Sequence, residues 1–195
     1  LTPYSGNLID AEALGAIIDA AYTGAAIRPA DIDTGVVILT GEALRRENAQ
    51  AIAAIVADKG GDFVTATAGN HMEAMLAAYG SGAAKASYDA QARVLNVDIG
   101  GGTTKLALCD KGAVVWTAAL HIGGRLIAVE DGQIARLEPA GAHHAKAASV
   151  PLTLGAPCPA KALETVAAHL ADLLQTTLTQ HPPGPDITPL FLTDI

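Results

Sequence analysis

The sequence has few aromatic residues and few cysteines. Phe, Trp and Tyr make up 4% of its 195 residues, so its core must be built from Ala, Leu, Ile and Val, which favours helices packed closely on a sheet. The two cysteines, Cys109 and Cys158, form no CxxC pair and no Cys/His spacing typical of a metal site. This usage is typical of a reduced, cytoplasmic protein.

Long apolar runs and basic stripes are also missing. The sequence contains no uninterrupted apolar stretch of roughly 18 residues, so it predicts no membrane-spanning helix. The formal net charge of −8 is spread along the chain without a basic stripe, which argues against a nucleic-acid partner. Apolar residues make up 50% and mean hydropathy is +0.32, so a folded core is expected.

The first residues have neither a basic start nor a methionine, which suggests a trimmed chain or a fragment.

The first half of the chain predicts helices alternating with strands. Helical spacing of apolar residues predicts three helices, over 10–26, 42–59 and 72–79. Runs rich in β-branched residues predict strands over 33–41 and 62–69, and the first reads as a strand buried on both faces of a parallel sheet. This order predicts an α/β layered fold. The Gly/Ala/Ser-rich segment 80–92 is the best candidate for a boundary between lobes.

The second half changes to strands joined by tight turns. Three runs predict an antiparallel meander, over 94–99, 104–109 and 113–120. Asp131-Gly132 predicts a hairpin turn, and 160–179 predicts a long amphipathic helix. The last residues, 187–195, read as the start of one more strand. Between these elements, the adjacent pair His143-His144 is predicted to lie in a solvated loop, because neighbouring side chains diverge and no third metal ligand follows at a usual spacing.

The bend in NVDIGGGTTKLALCD, residues 96–110, is the most informative feature. An apolar run ends at Asp98, and three glycines and two threonines follow before the chain becomes apolar again. Glycines allow several backbone N–H groups to point into one concavity that can hold phosphate oxygens, and Asp98 can hold a metal ion through water. Because the residues after Thr104 read as a strand, this is neither a Walker loop nor a GxGxxG loop, which both open a helix. A plain glycine-rich turn is the alternative.

The bend, with the segments LALCDKGAVV and HIGGRLI that follow it, resembles the second phosphate loop of the superfamily of actin, sugar kinases and heat-shock chaperone ATPases. Segments 36–52 and 61–84 are similar to the EutA family, the reactivating factors of ethanolamine ammonia-lyase. The resemblance implies an α/β, actin-like (ribonuclease H-like) ATPase fold, with parts of two lobes that each contain a mixed sheet flanked by helices. Residues 1–90 would form the rear of the first lobe, and residues 91–195 the front of the second.

The resemblance also implies a site for ATP and Mg²⁺. Asp98 would act in catalysis by holding the magnesium ion through water. The phosphates would lie against five loop residues, Gly100, Gly101, Gly102, Thr103 and Thr104. Gly123 and Gly124 would form a close-packed return behind this loop. Glu73, nine residues before Gly82, has the spacing of the superfamily's acid or amide that orients the attacking water; the alternative is a solvated helix residue.

The function implied for the complete protein is ATP-dependent and chaperone-like. ATP hydrolysis would accompany closure of two lobes and exchange of damaged adenosylcobalamin from ethanolamine ammonia-lyase, in the cytoplasm or with a bacterial microcompartment. Two alternatives stay open: a small-molecule kinase of the same superfamily, and a catalytically silent scaffold. This sequence contains neither the superfamily's first phosphate loop, DxGTT, nor its GG-containing adenosine loop. We therefore expect a piece that binds nucleotide weakly and is incomplete for catalysis.

Overall fold

The structure is a computed structural model that describes residues 3–5, 8–40, 55, 62–179 and 184–194. Apart from Ile55, which is helical, the predicted helix 42–59 lies outside the described residues. The architecture is mixed α/β, as predicted, and its contacts form two compact units, Leu1–Gly69 and Asn70–Ile195.

The first unit contains a short hairpin, a helix and a pair of parallel strands. Its elements are β1 (Tyr4–Ser5), β2 (Leu8–Ile9), α1 (Ala11–Ala25), a 3₁₀ turn (Pro29–Asp31), β3 (Thr34–Thr40) and β4 (Asp62–Ala68). The Asp10 carboxylate accepts a hydrogen bond from the Ala13 N–H at 2.9 Å and so caps the start of α1. The C-cap residue, Ala26, is in the left-handed region, with a φ of 55°. β3 and β4 pair in parallel. The predicted helix 10–26 and the two predicted strands are confirmed.

One face of the parallel pair is exposed. Val36, Ile38 and Val64 keep 63%, 43% and 61% of their surface accessible. The prediction that the first of these strands is buried on both faces is therefore wrong for this face. No element in the described part of the unit covers these three side chains. An apolar run indicates that a strand can be buried on both faces, but burial also requires a second layer to pack on it.

The second unit is built on a three-stranded antiparallel sheet in the order β5-β6-β7. The strands are β5 (Arg93–Ile99), β6 (Thr104–Asp110) and β7 (Ala113–Leu120). Lys111 and Gly112 join β6 to β7 in a two-residue turn, with φ values of 49° and 95° that match the twist of antiparallel strands. The predicted meander is confirmed in type, order and direction.

Helices cover both faces of this sheet. On one face, α2 (Asn70–Gly80) and α3 (Ala83–Ala90) pack through small side chains: Ala74, Ala78, Ala83, Ala84, Ala107 and Cys109. On the other face, leucines of α5 (Ala162–Thr179) pack against a cluster formed by Leu106, Ala118, Leu120, Ile122, Ile187 and Leu190. Alanine at the first interface lets the helices approach the strands closely, as the low aromatic content predicts.

The two units meet in sequence at Gly69, upstream of the predicted lobe boundary in 80–92. Most of that segment forms α3, which packs on β5 and β6. The assignment of residues 1–90 and 91–195 to two lobes of a longer protein stays a prediction.

The rest of the second unit contains a hairpin, a helix and a 3₁₀ turn. β8 (Ile127–Glu130) and β9 (Gln133–Leu137) are joined by Asp131 and Gly132, with φ values of 50° and 74°, which confirms the predicted hairpin turn. α4 (Pro139–Ala147) carries both adjacent histidines. The predicted solvated loop is therefore wrong: His143 is exposed on this helix, but His144 is only 1% exposed.

The predicted final strand is replaced by a 3₁₀ turn, Thr188–Leu190, and a single antiparallel bridge from Phe191 to Leu120. Pro189 lies inside this segment and has no N–H group to donate to a ladder, so the apolar run does not continue as a strand. Among the described helices, none combines the length and apolarity that crossing a bilayer requires.

Candidate functional site

The glycine-rich bend forms a tight loop between β5 and β6. Ile99 and Thr104 are the last pair of the ladder, and the Gly100 N–H donates to the Thr103 carbonyl oxygen at 2.9 Å. The N–H groups of Gly101, Gly102 and Thr103 have no acceptor in the described part of the chain. Three successive N–H groups without acceptors at an accessible loop are suited to bind an anion.

Gly123 and Gly124 lie directly against this loop. The Gly124 N–H donates to the Gly100 carbonyl oxygen at 2.9 Å, and the Arg125 N–H donates to the Gly101 carbonyl oxygen at 2.7 Å. A Cβ atom on Gly123 would overlap the Gly101 carbonyl oxygen and lie 2.5 Å from the Gly102 carbonyl carbon. Only glycine fits at position 123, so the backbone of the loop and the backbone of segment 123–125 are in direct contact.

Thr104 follows the loop as the first residue of β6. Its side chain is fully buried, and its hydroxyl donates to the Ile122 carbonyl oxygen at 2.8 Å. The hydroxyl therefore anchors the end of the loop to the segment that leads into Gly123, and a role of Thr104 toward a phosphate stays a prediction.

Asp98 lies near the end of β5, and its side chain is exposed. It lines an open groove of about 340 Å³ together with Ala77, Gly80, Ser81, Asn96 and Val97. An accessible carboxylate can hold a hydrated cation through water. Among the described residues, no three His, Cys, Asp or Glu side chains converge on a possible metal position, so any cation beside Asp98 would be held largely by water and ligand oxygens.

Glu73 lies in the first turn of α2 and contacts the sheet. Its Oε2 lies 2.6 Å from the Nζ of Lys105, and the Glu73 and Lys105 side chains are 13% and 12% exposed. The alternative reading of Glu73 as a solvated helix residue is therefore wrong. The same end of α2 is held on the sheet by a contact of 2.8 Å between His71 Nδ1 and Thr117 Oγ1.

Lys105 connects the predicted site residues. Besides its ion pair with Glu73, its Nζ donates to the Thr103 hydroxyl oxygen at 2.5 Å. Lys105 also stands opposite Asp98 in the β5–β6 register, so the two side chains share one face of the sheet. The structure thus brings Glu73, Asp98, the loop and its glycine return to one end of the sheet, and their roles toward a nucleotide stay predictions.

Sequence reasoning missed Lys105 and Arg125. Lys105 could have been found from the hairpin alone, because counting outward from a closing pair at Ile99 and Thr104 places Asp98 opposite Lys105. Its contact with Glu73 depends on how α2 packs and has no local signal. Arg125 follows the glycine pair, and its backbone N–H donates to the loop at the Gly101 carbonyl oxygen.

A separate histidine cluster lies on α4 and α5. The His144 Nε2 donates to the His121 carbonyl oxygen at 2.8 Å, and the His144 ring centroid lies 5.5 Å from that of His143 and 5.8 Å from that of His169. Burial lowers the pKa of His144, and the neighbouring histidines lower it further. His144 Nδ1 and His169 Nε2 are buried without a hydrogen-bond partner among the described residues.

Two solved structures show weak overall similarity to the chain. MreB5 of Spiroplasma citri bound to ADP is 15% identical, with a TM-score of 0.44 over 97% of this chain and 63% of that one. The ethanolamine utilization protein EutJ from Carboxydothermus hydrogenoformans is 18% identical, with a TM-score of 0.38 over 90% of this chain and 51% of that one. At these TM-scores the similarity does not define the fold or a ligand of this chain.

Sequence comparisons are more specific. The family model described as ethanolamine utilisation protein EutA matches residues 1–194. The chain is 38% identical over 180 residues to the ethanolamine ammonia-lyase reactivase EutA of Salmonella typhimurium (strain LT2), covering 89% of the chain and 37% of that protein. It is 43% identical over 122 residues to the Escherichia coli (strain K12) reactivase EutA, covering 63% of the chain and 26% of that protein. The chain spans well under half the length of these two relatives. Because the family model matches almost every residue, the chain belongs to the EutA family of ethanolamine utilisation proteins.

Proposed function

We propose that the chain supplies one half of a nucleotide-phosphate clamp in an actin-like ATPase. The observation that carries this proposal is the row of N–H groups at Gly101, Gly102 and Thr103, which have no acceptor among the described residues. Gly123 packs so closely against the backbone of Gly101 and Gly102 that position 123 has no room for a side chain. Successive N–H groups of this kind suit phosphate oxygens.

The residues around the loop fit ATP with Mg²⁺. Asp98 would hold the magnesium ion through water, and the bound ion would neutralise part of the phosphate charge. The Gly101, Gly102 and Thr103 N–H groups would bind the phosphates, and Glu73 would orient the attacking water. Thr104, with its hydroxyl committed to the Ile122 carbonyl, would keep the loop in shape.

The partner of the complete protein is proposed from the family. Both curated relatives carry the name ethanolamine ammonia-lyase reactivase, and this chain spans 37% of one and 26% of the other. We infer that ATP turnover in the complete protein drives the exchange of damaged adenosylcobalamin from ethanolamine ammonia-lyase. Because the proposed phosphate loop would supply only half of such a clamp, we expect weak nucleotide binding by this piece alone.

Phosphate release from ATP by the full-length protein separates this proposal from its alternatives. A reactivase should release phosphate without a small-molecule acceptor and should restore activity to inactivated ethanolamine ammonia-lyase only when ATP and Mg²⁺ are present. Release that depends on an added sugar or acid, with formation of a phosphorylated product, would identify a kinase. No release under any of these conditions, with lyase reactivation unchanged by ATP, would identify a scaffold.

A further inference from the structure

We propose that Lys105 is a positioning residue for ATP hydrolysis: its ammonium group fixes the Glu73 carboxylate and the Thr103 hydroxyl in one arrangement beside the phosphate loop. This inference rests on the proposed ATPase function and adds to it a residue from the second strand of the hairpin.

The geometry joins three separate elements. Lys105 lies on β6, its Nζ lies 2.6 Å from Glu73 Oε2 on α2, and it donates at 2.5 Å to Thr103 Oγ1 in the loop. The first turn of α2 and the phosphate loop are therefore connected through one side chain. A shift of either element would break one of the two contacts.

Burial distinguishes this ion pair from a second lysine pair, Lys85 and Asp89 on α3. The Lys105 and Glu73 side chains are 12% and 13% exposed, whereas those of Lys85 and Asp89 are 77% and 55% exposed. Removing charges from water costs free energy, which a pair recovers only when its geometry and its additional hydrogen bonds are good. Apolar side chains could stabilise this position equally well, so stability alone does not explain the buried ion pair. Its place beside the loop points to a role in positioning the Glu73 carboxylate and the Thr103 hydroxyl.

The hydrogen-bond roles explain how Lys105 would prepare the site. An ammonium group only donates, so the Thr103 hydroxyl oxygen is the acceptor of this bond and the hydroxyl proton remains to be donated elsewhere. The neighbouring Thr103 N–H also has no acceptor within the described residues. With Lys105 donating to the hydroxyl oxygen, the Thr103 hydroxyl proton and the Thr103 N–H can both be donated to an anion. Lys105 also holds the Glu73 carboxylate, which can accept a hydrogen bond from water, close to Thr103.

The test compares binding with turnover in the full-length protein. Lys105→Met should lower the kcat for ATP hydrolysis by roughly 10- to 100-fold, as expected for misplaced catalytic groups. The Kd for ATP should change by less than about threefold, because the backbone N–H groups of the loop are retained. Lys85→Met, which removes the exposed lysine of the other pair, should change neither quantity. If Lys105→Met does not fold, Lys105→Gln replaces it with the same expected results.

A double variant separates positioning from general stability. If Lys105 acts through Glu73, then Lys105→Met should lower kcat little further in a Glu73→Gln background. Two results would overturn the inference while leaving the ATPase function intact. One is a kcat for Lys105→Met within twofold of the wild type. The other is a double variant whose fold-loss in kcat equals the product of the two single fold-losses. A wild-type protein that does not hydrolyse ATP would overturn the proposed function and this inference together.

Discussion

The Nζ of Lys105 lies 2.6 Å from Oε2 of Glu73 in a largely buried ion pair that joins β6 to the first turn of α2. Glu73 is a predicted water-orienting residue, and Asp98, the predicted magnesium residue, stands opposite Lys105 in the neighbouring strand. The two predicted catalytic carboxylates lie on different elements, and Lys105 pairs with one of them, Glu73, and shares a face of the sheet with the other, Asp98.

The ion pair should also contribute to stability. Lys105→Met leaves the Glu73 carboxylate largely buried without its lysine, and we expect a loss of about 2–5 kcal/mol in the free energy of unfolding. Lys85→Met removes an exposed pair and should cost less than about 0.5 kcal/mol. Urea denaturation of the three proteins measures the difference. Equal losses for the two variants would show that burial of the Lys105 pair has no energetic consequence.

Gly123→Ala should distort the phosphate loop. A Cβ at this position would overlap the Gly101 carbonyl oxygen, so the two backbone segments must separate. We expect the affinity of the full-length protein for ATP to fall by about tenfold or more, since the N–H groups of the loop would be displaced. Gly24→Ala, on α1 with no atom within 4 Å of the added Cβ, is the matched control. Isothermal titration with ATP and Mg²⁺ provides the measurement, and unchanged affinity in Gly123→Ala would contradict the proposed clamp.

Thr104→Val should reduce stability. The substitution removes the hydroxyl that donates to the Ile122 carbonyl at 2.8 Å and leaves that acceptor without its donor in a buried position. We expect a loss of about 1–3 kcal/mol in the free energy of unfolding. Thr104→Ser keeps the donor and should lose less. Thermal or chemical unfolding of the two variants decides, and equal stability of Thr104→Val and the wild type would show that this bond is dispensable.

The buried histidine should make stability depend on pH. Burial lowers the pKa of His144 below its ordinary value, so the unfolded chain binds this proton more readily than the folded protein. Above the unfolded pKa of about 6.5 both states are neutral and His144 adds no pH dependence. Below it the unfolded state takes up the proton first, so stability falls with decreasing pH, by at most about 1.4 kcal/mol per pH unit for one proton.

His144→Gln isolates this effect, because its amide can still donate to the His121 carbonyl but does not titrate. Its free energy of unfolding, measured from pH 7 downward, should depend less on pH than that of the wild type. His143→Gln, at the exposed neighbour, should keep the wild-type slope. Identical slopes for wild type and His144→Gln would rule out His144 as the source.

The two cysteines should differ in reactivity. Cys109 is fully buried between the sheet and α2 and α3, and burial raises the pKa of its thiol. Cys158 is partly exposed. Alkylation of the native protein followed by peptide mass mapping should therefore label Cys158, and Cys109 should become labelled only in denaturant. Labelling of native Cys109 at the rate of Cys158 would contradict the packing of α2 and α3 described above.

Local features could be predicted from the sequence. The loop after Asp98, the hairpin turn at Asp131-Gly132 and the cap at Asp10 depend on neighbours within a few residues, and the structure has each of them. Glycines, β-branched runs and caps determine these elements without help from the rest of the chain. The hairpin register then fixes that Asp98 and Lys105 share a face.

Features that depend on packing between distant segments could not be predicted. Burial of Glu73 depends on where α2 lies on the sheet, and burial of His144 depends on α4 reaching the backbone at His121. The commitment of the Thr104 hydroxyl to Ile122 requires the return of the chain to pass behind the loop. No short pattern in the sequence records such contacts, because the partners lie 18 or more residues apart.

The most direct test of the phosphate-loop assignment is the rate of ATP hydrolysis by the full-length protein with Asp98→Ala. Asp89→Ala, at an exposed surface pair on α3, serves as the matched control. We predict that Asp98→Ala loses both ATP turnover and lyase reactivation, while Asp89→Ala retains them. Wild-type turnover in Asp98→Ala would contradict the assignment of this loop as the nucleotide site.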